Sequence, residues 1–281
     1  MTTYGAMVIG LEDSYRGEPL EAQLSGYGIT YTRIPGVIVD DQPGGMADHV
    51  DQAAARVLQR RELTKGEVGC ALAHRSTWAA LLSSSAQFAL VFEDDARLTR
   101  EPLDQNVKCV LDSEHPVVVL LDSYADHTVV SRRARHVGDV YRTLVPAPGA
   151  WAYALNRAAA DVLLERGEPI SSVTDWPARV AHKVSFHVTY PPRARVDMNV
   201  ASNLEASRTE LENEAPEAPV LKFARLALTL SHLRLLRNTR IYGSYAAYAS
   251  HELRRLTVNK LSRSLGSRLQ SHDHRSPLTL P

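Results

Sequence analysis

The chain has 281 residues, with 32 Lys and Arg balanced by 32 Asp and Glu, so its formal charge is zero and the bulk composition does not point to nucleic acid. Its two cysteines, Cys70 and Cys109, lack CxxC spacing and are too few for a disulfide framework, so a reducing compartment is expected. The opening MTTYGAMVIGLEDS has no basic stretch before its short apolar run, and no segment approaches the ~20 apolar residues of a membrane span. These features predict a cytoplasmic protein, peripheral to a membrane at most.

In chain order, the apolar run Tyr4–Leu11 predicts a buried strand, Pro19–Gly26 a short helix and the alternating stretch Gly28–Pro35 a second strand. Asp40–Gly45 (DDQPGG) reads as a loop. This β-α-β opening favours a mostly parallel, Rossmann-like sheet flanked by helices. Thr64 and Glu67 have capping-box spacing, and Leu63 and Val68 occupy the hydrophobic-staple positions, so a helix is expected from Lys65 to about Leu82. Phe88–Phe92 (FALVF) and Val117–Leu121 (VVVLL) are short apolar runs without helical period and predict buried strands, ending at Glu93-Asp94-Asp95 and at Asp122. Gly149–Leu155 predicts a strand, Arg157–Arg166 a helix and Phe186–Tyr190 a late strand.

Past residue 205 the composition changes. Glu210, Glu212, Glu214 and Glu217 form an acidic, proline-containing linker over 206–221, and the segment 222–281 is helical in pattern with eleven Lys/Arg against Glu252 and Asp273. Phe223, Leu226, Leu230, Leu233 and Leu236 have helical spacing. That basic extension suits either an anionic membrane surface or packing against the preceding α/β domain or another chain.

Ligands of an open parallel sheet bind beyond the carboxyl ends of its strands, which is where the three acids fall. In an extended segment, residues two apart point the same way, so Glu93 and Asp95 are expected to converge on one point. Oxygen ligands of this kind suit Mg²⁺ or Mn²⁺ together with substrate phosphates. The plain alternative is a solvated acidic turn. His74 and Cys70, four apart on the predicted helix, share a face with Trp78; that face either packs beside the site or lets His74 hydrogen-bond a ligand.

The stretch LTKGEVGCALAHRSTW (Leu63–Trp78), followed by ALVFEDDA (Ala89–Ala96), resembles glycosyltransferase family 25, the lipopolysaccharide-type galactosyltransferases with relatives that glycosylate collagen. MVIGLEDSYR, YTRIPGV and PAPGAWAYALNRAAADVLL resemble other parts of the family pattern, so the likeness covers about residues 4–205. The chain departs from that pattern at Ala73, where Ser is usual, and at Gly10-Leu11 with a single Arg16, where Asn-Leu and paired arginines are usual.

The resemblance implies a GT-A-like α/β catalytic domain over 1–205 and inverting transfer of a hexose, most often galactose, from a UDP-sugar to a glycan or glycolipid hydroxyl. It implies Glu93 and Asp95 as ligands of Mn²⁺ or Mg²⁺, and Leu11, Arg16, Glu67, His74 and Asp94 around the donor. Glu67 also has a sufficient role in the helix cap. The implied catalytic base is Asp175 in SSVTDWP, with Asp122 as its rival, and His187 is a candidate third metal ligand. The competing readings are a non-catalytic glycan- or nucleotide-binding module of the same fold and a nucleotidyltransferase. The missing glycine-rich phosphate loop argues against the latter.

Overall fold

The computed structural model describes residues 4–12, 14–59, 61–122, 136–143, 149–172, 176–177, 180 and 183–197. Asp175, the acidic linker and the basic extension lie outside them.

Strands β1 (Tyr4–Gly10), β2 (Tyr31–Pro35), β3 (Phe88–Glu93), β5 (Val117–Leu120), β6 (Val140–Arg142), β7 (Ala152–Asn156) and β8 (Ser185–Thr189) form one sheet in the order β2-β1-β3-β7-β5-β8-β6. β1 is parallel to β2 and β3, and β5 is parallel to β8, whereas β7 and β6 run against their neighbours. The result is the mostly parallel α/β sheet flanked by helices that the sequence predicts, with the antiparallel β7 at its centre. β7 is buried along its length, and such a uniformly apolar run does not reveal strand direction. The short strands β4 (Ala96–Leu98) and β9 (Ala194–Val196) pair apart from the main sheet.

Alternation along the strands divides the core. Ala6, Val8, Leu90 and Phe92 face α1 (Glu18–Gly26) and α4 (Gln105–Leu111) through Leu20, Leu24, Val107 and Leu111. Met7, Ile9, Val91 and Tyr153 face α3 (Lys65–Ser83) and α5 (Arg157–Arg166) through Trp78, Leu81, Ala159 and Leu163. A smaller cluster joins Leu63, Val68 and Val39 with Ala55 of α2 (Gln52–Gln59) and Ile170.

α3 starts where its local sequence dictates. The Thr64 hydroxyl accepts from the Glu67 N–H at 3.1 Å, and the Glu67 carboxylate accepts from the Thr64 N–H at 3.0 Å, a complete capping box. The staple pair Leu63 and Val68 is buried in one cluster. The Glu67 side chain is also gripped on both oxygens by Arg61, at 2.7 and 2.6 Å, and has no exposed surface. Gly69 sets how close α3 can come: a Cβ there would lie 2.2 Å from the Val37 carbonyl oxygen. This approach of helix to loop holds α3 over the carboxyl ends of β1 and β3.

Candidate active site

β3 is buried from Phe88 to Phe92 and surfaces at Glu93, its last residue. Glu93 stands in register with Ile9 of β1, and its N–H donates to the Trp151 carbonyl at 2.8 Å, so two neighbouring strands fix its backbone. Asp94 and Asp95 then form a turn into β4. The turn is tied down by Arg97, which donates to the Asp94 carbonyl at 3.0 Å, and by Asp197, whose N–H donates to the Asp95 carbonyl at 2.8 Å.

This turn corrects the expectation that Glu93 and Asp95 point the same way. Side-chain alternation holds only while the backbone stays extended, and it ends at Glu93. Glu93 points to the α3 side of the sheet, where its Oε1 lies 3.2 Å from His74 Nε2 and 3.9 Å from Cys70 Sγ. Asp95 faces Arg16 in the loop after β1: Arg16 Nη2 is 3.1 Å from Asp95 Oδ2 and 3.5 Å from Asp94 Oδ1. Asp94 lies over Gly10, where a Cβ would come within 3.3 Å of the Asp94 Cβ. A glycine in place of the family's asparagine therefore leaves the space that Asp94 occupies.

The acid pair is under electrostatic stress. Burial raises the Asp94 carboxyl above its usual range against the pull of Arg16. Burial, with repulsion from Glu93 and Asp94, pushes Asp95 up to about 6 despite Arg16. Asp95 Oδ1 and Arg16 Nε are buried and lack hydrogen-bond partners among the described residues. A buried carboxylate oxygen without a donor is costly, and a hard cation or the water it carries would satisfy it. The carboxylates of Asp94 and Asp95, which meet at Arg16, fit Mg²⁺ or Mn²⁺ by ligand type.

On the other side of the turn, α3 and β7 hold a directed hydrogen-bond network. The Trp78 indole N–H donates to the Tyr153 hydroxyl at 2.9 Å, and that oxygen is 3.0 Å from His74 Nδ1. His74 is buried between the two groups: with a proton on Nε2 alone it donates to Glu93 and accepts from Tyr153 at Nδ1, and with the proton on Nδ1 it donates to Tyr153 instead. Burial raises the Tyr153 phenol, which keeps it a neutral hydrogen-bonding group. Tyr153 is the residue sequence reasoning missed. Its signal was the alternation of AYALN, which sets Tyr153 and Leu155 on the α3 side, away from Ala152 and Ala154.

The other sequence-predicted residues are dispersed. Leu11 is exposed just past the end of β1. Glu67 is enclosed by its cap and Arg61. Asp122 follows Leu121, whose N–H donates to the Ala152 carbonyl at 3.0 Å. Glu93 and Asp122 thus flank the start of β7 on opposite sides, with backbones about 10 Å apart by inter-strand spacing. His187 lies inside β8, three strands from β3, or about 14 Å by the same spacing. It is 3.2 Å from the Ser185 hydroxyl, and burial lowers its pKa to about 4. That separation rules it out as a ligand shared with Glu93. Asp175 lies outside the described residues; the adjoining Trp176 meets the Tyr153 ring edge-on at 5.2 Å.

Three solved structures are similar to parts of the chain. A glycosyltransferase involved in the glycosylation of the major capsid of PBCV-1 is 7% identical, with a TM-score of 0.27 over 57% of this chain and 62% of its own. Mannose-1-phosphate geranyltransferase from Thermus thermophilus is 14% identical, with a TM-score of 0.28 over 67% and 74%. UDP-glucose pyrophosphorylase complexed with UDP-glucose is 12% identical, with a TM-score of 0.30 over 67% and 90%. At these scores the likenesses carry no argument about this chain. No curated protein matches it. The model of glycosyltransferase family 25 (LPS biosynthesis protein) matches residues 4–177, more than half of the sequence. It spans the Thr64–Glu67 cap, the acid turn and the His74–Tyr153 network, and the chain belongs to glycosyltransferase family 25.

Proposed function

We propose that this protein is an inverting hexosyltransferase that moves a hexose, galactose by family resemblance, from a UDP-sugar to a hydroxyl of a glycan or glycolipid. The observation that carries this reading is the buried Asp95 Oδ1, which has no hydrogen-bond partner among the described residues, in an acid turn beside Arg16, at the carboxyl ends of β1 and β3. Asp95 is the principal proposed ligand for Mn²⁺ or Mg²⁺, with Glu93 and Asp94 as its neighbours. When bound, such a cation neutralises charge on the departing nucleoside diphosphate.

The chain's own groups would do the rest. Arg16, held by Asp94 and Asp95, stands ready to exchange one carboxylate for a donor phosphate, a bidentate partner its guanidinium suits. Leu11 is an exposed apolar group in the same loop after β1. Glu67 acts indirectly, by fixing the start of the helix that carries His74. His74 orients Glu93, and Glu93 must leave His74 to turn toward the diphosphate. The acceptor hydroxyl attacks the anomeric carbon as the bond to UDP breaks, and a carboxylate takes its proton. Asp175 is the proposed base, with Asp122 the alternative. Contact of the basic segment 222–281 with an anionic membrane belongs to the same proposal and is tested by co-sedimentation with anionic vesicles.

The testing experiment is thermal denaturation with UDP, UDP-galactose, UDP-glucose or GDP-mannose, each with and without Mn²⁺. A ligand at 100 times its Kd stabilises by about 2.7 kcal/mol. The expected result is a metal-dependent rise with UDP-sugars that Asp95→Asn removes. No rise with any nucleotide would favour the non-catalytic module instead.

A further inference from the structure

Beside the acid turn, the described residues contain one mixed cluster of metal-ligating side chains: Cys70 Sγ, a His74 ring nitrogen and a Glu93 oxygen all lie within 4.8 Å of one another. We propose that Cys70, His74 and Glu93 bind a borderline-soft transition-metal cation of the Zn²⁺ class, at a site that shares Glu93 with the hard-cation position proposed at Asp95. Binding there does not rest on the glycosyl-transfer reading.

Ligand chemistry separates the two positions. Thiolate and imidazole select Zn²⁺ and related ions over Mg²⁺ and Mn²⁺, which prefer oxygen alone. The geometry is close to that of a bound ion. With metal–ligand bonds of 2.0 to 2.3 Å, the edges of a tetrahedron are about 3.3 to 3.6 Å. The His74–Glu93 edge is 3.2 Å, the Cys70–Glu93 edge is 3.9 Å and the Cys70–His74 edge is within 4.8 Å, so side-chain adjustment closes the triangle. Cys70 and His74 stand one helical turn apart on α3, and Glu93 is held at the end of β3, so all three ligands come from regular elements. Glu93 and Cys70 are partly exposed, which gives an ion a way in and leaves a fourth position for water.

The network behind His74 suits a ligand role. A coordinating histidine almost always donates its other ring N–H to a fixed acceptor. Here Nδ1 faces the Tyr153 hydroxyl at 3.0 Å, and the Trp78 indole anchors that hydroxyl from its far side. On binding, the imidazole proton sits on Nδ1 and is donated to Tyr153. Nε2 then offers its lone pair to the metal, and the Cys70 thiol proton passes to solvent. Because Glu93 is a ligand here, an ion at this site withholds it from the acid turn. Where the chain transfers glycosyl groups, Zn²⁺ therefore opposes Mn²⁺.

The test is a Co²⁺ titration of the full-length, reduced protein, read by the near-ultraviolet thiolate-to-cobalt absorption band and reversed by Zn²⁺. The expected result is a saturable band that Cys70→Ser abolishes while Cys109→Ser and Asp95→Asn leave it in place. Tyr153→Phe should weaken binding about 10- to 100-fold. Circular dichroism confirms that each variant is folded. No band in the wild type, or a band that survives Cys70→Ser, overturns the site whatever the protein does with nucleotide sugars.

Discussion

At the scale of single residues, Asp95 carries its charge at a disadvantage. Its folded pKa of about 6 lies above the unfolded value, so between roughly pH 4 and pH 6 the native state holds the extra proton and stability falls as pH rises. Above that window the native state bears the full penalty of an ionised, buried carboxylate beside two others. Asp95→Asn is therefore expected to raise the melting temperature in EDTA at pH 8 and to change it little at pH 4. Arg16 keeps Asp94 as a partner in that variant. Calorimetry at the two pH values checks this, and a lower melting temperature at pH 8 contradicts it. Donor binding to the wild type should correspondingly weaken as pH drops through 6, because a protonated Asp95 is a poor metal ligand. Three acids at a strand end were legible in the sequence. Their directions were not, because the two-residue rule needs extended backbone and the chain turns at Asp94. Tyr153 escaped notice for a related reason: its hydroxyl acts across the gap between β7 and α3, which no local spacing reports.

At the scale of elements, α3 combines a legible half and a hidden half. Its start was readable because cap and staple lie within a few residues of one another. Its placement was not, since Gly69 meets Val37 and Glu67 meets Arg61 through the tertiary fold. Gly69→Ala should cost roughly 1–3 kcal/mol, because the added methyl meets a backbone carbonyl that cannot easily retreat. Urea denaturation measures it, and an unchanged midpoint would show that the loop gives way. Arg61→Ala strands the Glu67 carboxylate without its guanidinium and should cost roughly 3–5 kcal/mol, whereas exchanging both residues for apolar ones should recover much of that loss. Gly149 marks a second such position, in the turn that leads into β7. Its φ is +119°, and a Cβ there would fall 2.7 Å from the Trp151 ring, whose backbone carbonyl anchors Glu93. Gly149→Ala is expected to lower activity more than it lowers stability, read as turnover against melting temperature.

At the scale of the whole molecule, the sheet gathers the chemistry at one edge. β1, β3 and β5 run parallel and deliver Leu11, Glu93 and Asp122 to their carboxyl ends, and the antiparallel β7 starts at that same edge. The mostly parallel architecture was predictable because alternating strand and helix signals leave few packing solutions. The reversed β7 and the separate β4–β9 pair were not, since strand direction is set by connections distant in sequence. No helix among the described residues is long and apolar enough to cross a membrane. The most direct test of the proposed chemistry is release of UDP from UDP-galactose with a glycan acceptor, measured with Mn²⁺, with EDTA and with Asp95→Asn. The expected result is turnover that needs the metal and falls by orders of magnitude in Asp95→Asn while that variant stays folded. Undiminished turnover in Asp95→Asn would contradict it.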